Sequence, residues 1–253
     1  MSDGHITSTK KDHITTIEFY HPAQNSMPSY LLTDLVDHIN QAGADESTFI
    51  IVLKSSGDRT FCAGASFTEL AAIENFESGK TFFMGFANVI NAIRKCPKIM
   101  IGRVHGKAVG GGVGLAAACD YCMASKYASV RLSELAVGIG PFVIGPVVER
   151  KIGFSAFSHL AINAEEWQTA EWAKQKGLFT EAFETIEQLD AYLDHFTASL
   201  VCKSPEALVA LKKIFWEGTE HWDTLLEQRA EISGRLILTD MARDAIKKIL
   251  AIV

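Results

Sequence analysis

The chain reads as an α/β core followed by a helical C-terminal part, with residues 1–190 in the core and 191–253 in the helical region. Three observations predict this layout. Short apolar runs alternate with amphipathic helical patterns through the first half, as βαβ units require. Small-residue segments lie between those runs and the helices after them. Strand signals then fade after about residue 142, and helical spacing takes over. No internal repeat and no low-complexity linker interrupts the chain.

The elements follow in order. His13 to Phe19 (HITTIEF) is β-rich, and Pro28 to Ala42 is helical, with Leu31, Leu32, Leu35, Val36 and Ile39 at helical spacing. Phe49 to Leu53 is a continuous apolar run, the mark of a strand buried on both faces. Helical patterns cover Phe67 to Ala72 and Lys80 to Arg94. Pro97 punctuates, and Ile99 to Val104 is the next buried strand. A glycine-rich stretch, Gly106 to Gly114, leads into an alanine-rich helix, and Asp120 to Ala124 is another strand. Beyond it, Glu165 to Lys176, Ile186 to Leu200, Pro205 to Trp216, Trp222 to Leu238 and Asp240 to Ile252 are all expected as helices. Ser204-Pro205-Glu206 makes a good helix start, with proline in the first turn.

With 253 residues, 48% hydrophobic and 21% charged, the composition is that of a globular chain and excludes collagen and coiled coil. A net charge of -6 argues against a nucleic-acid partner. No apolar run approaches the roughly 18 residues of a membrane-spanning helix. The polar opening Met1-Ser2-Asp3-Gly4-His5 lacks the apolar centre of a signal peptide. The odd cysteine set (Cys62, Cys96, Cys119, Cys122, Cys202) does not form a disulfide framework. The expectation is a cytoplasmic protein with no membrane and no nucleic-acid partner.

Several motifs fail on inspection. Gly79-Lys80-Thr81 ends like a phosphate-binding loop, but the glycine required five residues earlier is Glu74. Gly112 to Ala117 matches a dinucleotide pattern, yet the helix there is too short for a full crossover. Cys119-x-x-Cys122 falls in a strand rather than at a helix N-terminus, where a thiolate would be favoured. There is no HExxH, no second CxxC and no GxSxG. His38, His159, His195 and His221 sit in helical stretches without metal-ligand spacing. No metal and no redox cofactor is expected.

Three segments remain: Phe61 to Ser66, Val104 to Gly112, and Leu132 to Gly138. The first two end in small residues that open helices. Small side chains let a ligand approach the backbone, and the free N–H groups of a helix start favour negative charge. Two such donors facing one point would make an oxyanion hole. From the residues alone, the glycines serve equally well for close packing of helix on strand.

Together the three segments resemble the crotonase superfamily, the enoyl-CoA hydratase/isomerase family. The resemblance rests on Phe61-Cys62-Ala63-Gly64-Ala65-Ser66, Val104 to Gly112, Cys119-Asp120 and Ser133 to Gly138, in the family's order. It includes His21-Pro22-Ala23-Gln24-Asn25-Ser26-Met27 and spans nearly the whole chain. It implies a fold of repeated ββα units with a helical C-terminal trimerisation region, hence a homotrimer or dimer of trimers. It also implies an acyl-CoA thioester as substrate, coenzyme A entering as part of the substrate and not as a cofactor. By motif position, the N–H groups of Ala65 and Gly111 would hold the thioester oxygen. Ser26, Met27, Ala63, Ser66 and Gly110 would meet coenzyme A, as would Lys212 and Phe215 on a C-terminal helix. Leu208, Leu211 and Phe215 equally make a core stripe.

The family's hydratases carry two glutamates. One position corresponds to Gly114, which has no side chain; the other is Glu134. Adding water uses paired carboxylates, whereas shifting a double bond needs one base. One carboxylate therefore points to an isomerase, and Gly138-Ile139-Gly140-Pro141-Phe142 resembles a segment of the family's isomerases. A hydratase or dehydratase, a decarboxylase using Lys80, a silent thioester binder and a dinucleotide oxidoreductase are the alternatives. Asp120 and His105 are expected to be structural. Phe82, Phe83, Met84 and Phe86 suit either an acyl-pocket wall or helix packing.

Overall fold

The computed structural model describes residues 4–251. Its strands are β1 (His5–Lys11), β2 (Ile14–Tyr20), β3 (Ser26–Met27), β4 (Ile50–Ser55), β5 (Thr60–Cys62), β6 (Gly64–Ala65), β7 (Ile99–Val104), β8 (Lys107–Val109), β9 (Tyr121–Ser125), β10 (Ser129–Arg131), β11 (Gln168–Thr169) and β12 (Glu181–Phe183). Its helices are α1 (Ser29–Ala44), α2 (Phe67–Ala71), α3 (Phe76–Lys95), α4 (Gly111–Ala118), α5 (Gly145–Ile162), α6 (Ala170–Gln175), α7 (Ile186–Val201), α8 (Pro205–Phe215), α9 (Trp222–Leu236) and α10 (Asp240–Leu250). The expected end of the last helix at Ile252 lies outside the described residues.

The main sheet runs β1-β2-β4-β7-β9-β12, parallel except for the antiparallel β1–β2 pair. A smaller sheet runs β11-β10-β8-β5, and β3 pairs with β6. Three successive ββα units build this pattern. Each places its first strand (β4, β7 or β9) in the main sheet and its second (β5, β8 or β10) in the small sheet. The continuous apolar runs of β4 and β7 have a direct cause. Ile50, Val52, Ile99 and Ile101 pack with Leu189, Leu193 and Leu208 of α7 and α8. Ile51, Leu53 and Met100 face the larger core, which includes Leu35 of α1 and Phe86 of α3. β2, at the sheet's other side, alternates instead, burying Thr15, Ile17 and Phe19.

The structure departs from the sequence reading in the middle of the chain. α5 occupies a stretch with no expected helix, and it is broken at Gly153, where φ is 77°. The helix expected over Glu165 to Lys176 shortens to α6, preceded by β11, and strands persist to β12, the last in the main sheet. α3 begins four residues before Lys80, where Asn75 and Ser78 form a capping box. The C-terminal helices fold back on the core. α9 packs along α3, and α10 lies against α2 and the 3-10 turn Leu135–Val137.

Candidate active site

β5, β8 and β10 run parallel, so their C-terminal ends share one edge of the small sheet. The three chemistry-bearing segments leave from that edge, in the way ligand sites gather at the carboxyl ends of parallel strands. They meet in one pocket, about 590 Å³ when the solvent-open mouth is included. Ala63, Gly64, Ala65, Gly110, Gly111, Ser133 and Glu134 line its polar side. Phe67, Leu70, Phe83, Phe86, Val137, Ile139, Phe142, Val143 and Ile144 supply apolar walls.

Backbone contact holds the segments together. In the β3–β6 pair, Ser26 sits opposite Gly64 and Met27 opposite Ala65. Asn25 fixes the preceding loop: its Nδ2 donates to the carbonyls of Ser56 and Thr60, and its Oδ1 accepts from the N–H of His21. Gly64, at φ 85°, lies so close to β8 that a Cβ there would stand 2.8 Å from the Val109 carbonyl oxygen and 3.4 Å from the Gly111 nitrogen. Gly111 is the first residue of α4, so its N–H has no partner within the helix. Gly110 precedes it at φ 51° and ψ -118°, a conformation open to glycine and strained for other residues. Gly112 packs on the Cys62 carbonyl. Glycine thus does both jobs here: Gly112 serves packing, while Gly110 and Gly111 line the pocket.

Glu134 opens the 3-10 turn, and its carbonyl accepts from the N–H groups of Val137 and Ile139. Gly138 ends that turn at φ 78° and fits against the backbone of Ala242 on α10, which braces the loop. The carboxylate leans over Gly110, with Oε1 2.9 Å from where a Cβ would lie. Oε2 is buried and has no hydrogen-bond partner among the described residues. Burial raises its pKa from 4.5 to about 7, against the pull of its own N–H and the Arg131 charge. A carboxyl poised there can both take and return a proton near neutral pH.

The Gly114 position is filled from outside. A Cβ on Gly114 would come within 2.5 Å of Ile144 Cγ2. The place of a second carboxylate is therefore a packed contact with a pocket-wall isoleucine. The sequence reading missed Ile144 and Ser233, because nothing local marks them, whereas Phe142 ends the segment it likened to the family's isomerases.

The remaining expected residues fall elsewhere. Ser66 caps α2, its Oγ accepting from the Glu69 N–H, and it stands outside the pocket lining. Lys212 is corrected outright. Its ammonium is bonded to both carboxylate oxygens of Asp120 at 2.9 and 2.7 Å, and both side chains are 2% exposed. Trp216 Nε1 and the Met100 N–H complete the set around Asp120. Lys212 is a core ion pair and has no hand free for coenzyme A. Phe215 lies partly exposed at a separate hollow with Arg150, Lys151 and Trp216. Lys80 is bound to Glu227 and Glu231 on α9, away from any decarboxylation chemistry. His105 is buried with neither ring nitrogen bonded, and burial together with Arg103 lowers its pKa to about 4. It does not line the pocket. Cys119 and Cys122 are buried thiols with raised pKa values. Among the described residues, no group of three or more His, Cys, Asp or Glu is arranged to hold a metal, and no helix is long and apolar enough to cross a membrane.

Comparison with known proteins agrees with this fold. The architecture is the crotonase fold: it superposes with a TM-score of 0.89 on a crystal structure of an enoyl-CoA hydratase from Bacillus halodurans, at 22% identity over 96% of this chain and 99% of that one. The family profile described as enoyl-CoA hydratase/isomerase matches residues 9–248, and the chain belongs to that family. A probable enoyl-CoA hydratase of Bacillus subtilis is 26% identical over 94% of this chain and 92% of its own length. A peroxisomal Delta(3,5)-Delta(2,4)-dienoyl-CoA isomerase of Arabidopsis thaliana is 25% identical over 78% of this chain and 75% of its own.

Proposed function

We propose that this enzyme shifts the double bond of an enoyl-CoA, moving it from the 3- to the 2-position. The observation that carries the reading is a pocket with one carboxylate, Glu134, whose would-be partner position at Gly114 is covered by Ile144. Glu134 removes a proton from C2 of the 3-enoyl thioester. The C–H electron pair forms a C1–C2 double bond and the carbonyl pair moves onto the thioester oxygen, giving a dienolate in which C3–C4 is still double. The N–H groups of Ala65 and Gly111 hold that oxyanion, each contributing about 3 to 4 kcal/mol to the barrier reduction. Protonated Glu134 then returns the proton to C4, leaving the double bond between C2 and C3. No water enters the balance, and the chemistry runs on the chain's own groups. Ser26, Met27, Ala63 and Gly110 offer backbone to the pantetheine arm.

Hydration is the second reading, favoured by the hydratase names of relatives such as that of Bacillus subtilis. It would require Glu134 to handle both water and proton, with Ser133 the nearest polar neighbour in sequence. Assembly as a homotrimer or dimer of trimers rests on the family resemblance, and the exposed Phe154 and Ile162 of α5 are apolar surface that an interface would cover. The test of the site is Glu134→Gln. The variant is expected to keep its circular dichroism spectrum and lose about a hundredfold or more in isomerase rate. Full activity would reject the assignment.

A further inference from the structure

We propose that Ser233 closes the far end of the acyl pocket and sets the length of hydrocarbon chain the enzyme accepts. The inference rests on the reading of this pocket as an acyl-CoA site. Ser233 is on α9, distant in sequence from every motif, yet it lines the same pocket as Glu134 and is 1% exposed. Its Oγ donates a long 3.3 Å bond back to the Arg229 carbonyl of its own helix, the usual arrangement for a buried helical serine.

The depth of the pocket can be followed along α3. The Phe86 ring lies against Gly111, within 2.4 Å of where a Cβ would stand at two of its atoms. Phe83, nearly one turn earlier, lines the pocket next. A further turn back, α3 meets α9 with no side chain between them. A Cβ on Gly79 would lie 2.9 Å from the Gly234 carbonyl oxygen, and one on Gly234 would lie 2.7 Å from the Lys80 nitrogen. Lys80 bound to Glu227 and Glu231 ties the same crossing on its outer side. From Phe86 to Gly79 the helix rises about 10 Å. A chain that starts over Gly111 and runs past Phe86 and Phe83 thus meets a rigid backbone crossing, and the side chain beside that crossing is Ser233. A crossing of backbone on backbone cannot yield to a longer chain. The small Ser233 side chain is the adjustable part.

The lining also fixes the chemistry of the chain. Among the described residues Glu134 is its only charged group; Ser133 and Ser233 are its other polar side chains, and the rest of the deep wall is Phe, Leu, Val, Ile and Pro. A terminal carboxylate would be desolvated there with no cation to meet it. The accepted acyl group is an uncharged hydrocarbon.

Binding of unreactive saturated acyl-CoA thioesters, measured by calorimetry across a series of chain lengths with free coenzyme A as baseline, tests this. In the parent protein each added methylene should tighten binding about fourfold, up to a length at which the gain stops. Ser233→Leu should bring that stop to a shorter chain and leave shorter thioesters within about twofold, since only their untouched part of the pocket is used. Ser233→Thr, which adds a single methyl, should move the stop the same way by less and keeps the test available if the leucine variant does not fold. A terminal carboxylate should cancel the gain of its own chain. Length-dependent affinity with the same stop in parent and Ser233→Leu, or equal binding of the carboxylate-ended chain, would overturn the proposal while leaving the acyl-site reading intact. Thioesters that bind no better than free coenzyme A at any length would overturn the acyl-site reading itself, and the proposal with it.

Discussion

Glu134→Gln should make the protein progressively more stable than the parent as pH rises. In the folded chain, burial lifts the Glu134 pKa from 4.5 to about 7. Below the unfolded value both states hold the proton, and the group contributes nothing to stability. Between the two values the unfolded chain releases its proton while the folded chain keeps it. The parent therefore loses stability as pH climbs through this window, and the loss is complete above about 7. A shift of this size corresponds to at most about 3 kcal/mol. Glutamine does not titrate, so the stability difference between variant and parent should grow by up to that amount from about pH 4.5 to about pH 8.5. The fixed cost or gain of exchanging carboxyl for amide cancels, because only the change with pH is read. His105, whose buried ring stays neutral down to about pH 4, titrates alike in both proteins and cancels too. Urea unfolding at several pH values measures the difference. A flat difference across the window would mean the carboxylate is well solvated, and would remove the raised pKa that lets Glu134 both take and return a proton near neutral pH. The same pKa predicts that kcat/KM of the parent falls about tenfold per pH unit below about 7.

Other perturbations follow from contacts around the site. Gly110→Ala places a Cβ 2.9 Å from Glu134 Oε1 at a positive φ. It should cost about 1–3 kcal/mol in urea unfolding and on the order of a hundredfold in rate by displacing the proposed base. Gly114→Ala drives a Cβ to 2.5 Å from Ile144 Cγ2. Its expected cost is about 1–3 kcal/mol, and combining it with Ile144→Ala should cost less than the sum of the two, a coupling that a double-mutant cycle reads directly. Lys212→Met strips the partner from buried Asp120 and should lower stability by about 3–5 kcal/mol. Thioester affinity of the protein that remains folded should be unchanged; a selective loss of affinity would restore Lys212 as a coenzyme A contact.

What the sequence made legible depends on how local each signal is. β4 and β7 were readable because both faces are buried, which leaves an unbroken apolar run. Glu134, Ala65 and Gly111 were readable because their motifs are contiguous. β5, β8 and β10 were not, since three residues are too few to show a period, although their shared edge is what gathers the site. α5 escaped because Gly145, Pro146 and Gly153 dilute its helical pattern. Lys212 looked like a surface cation on an aromatic-bearing helix. Its real partner, Asp120, is 92 residues earlier. Ile144 against Gly114, and Ser233 beside the Gly79–Gly234 crossing, are contacts between distant segments. They carry the specific character of this pocket, and only the folded chain displays them.

Glu134 as sole base is tested most directly by one side-by-side assay on the purified protein. One arm offers a 3-enoyl-CoA and the other a 2-enoyl-CoA in water, both followed by the ultraviolet absorbance of the conjugated thioester. Isomerisation without a second carboxylate predicts rising absorbance in the first arm and no loss in the second. Loss of absorbance in the second arm, with none gained in the first, would mean that water is added, and would contradict the one-base mechanism.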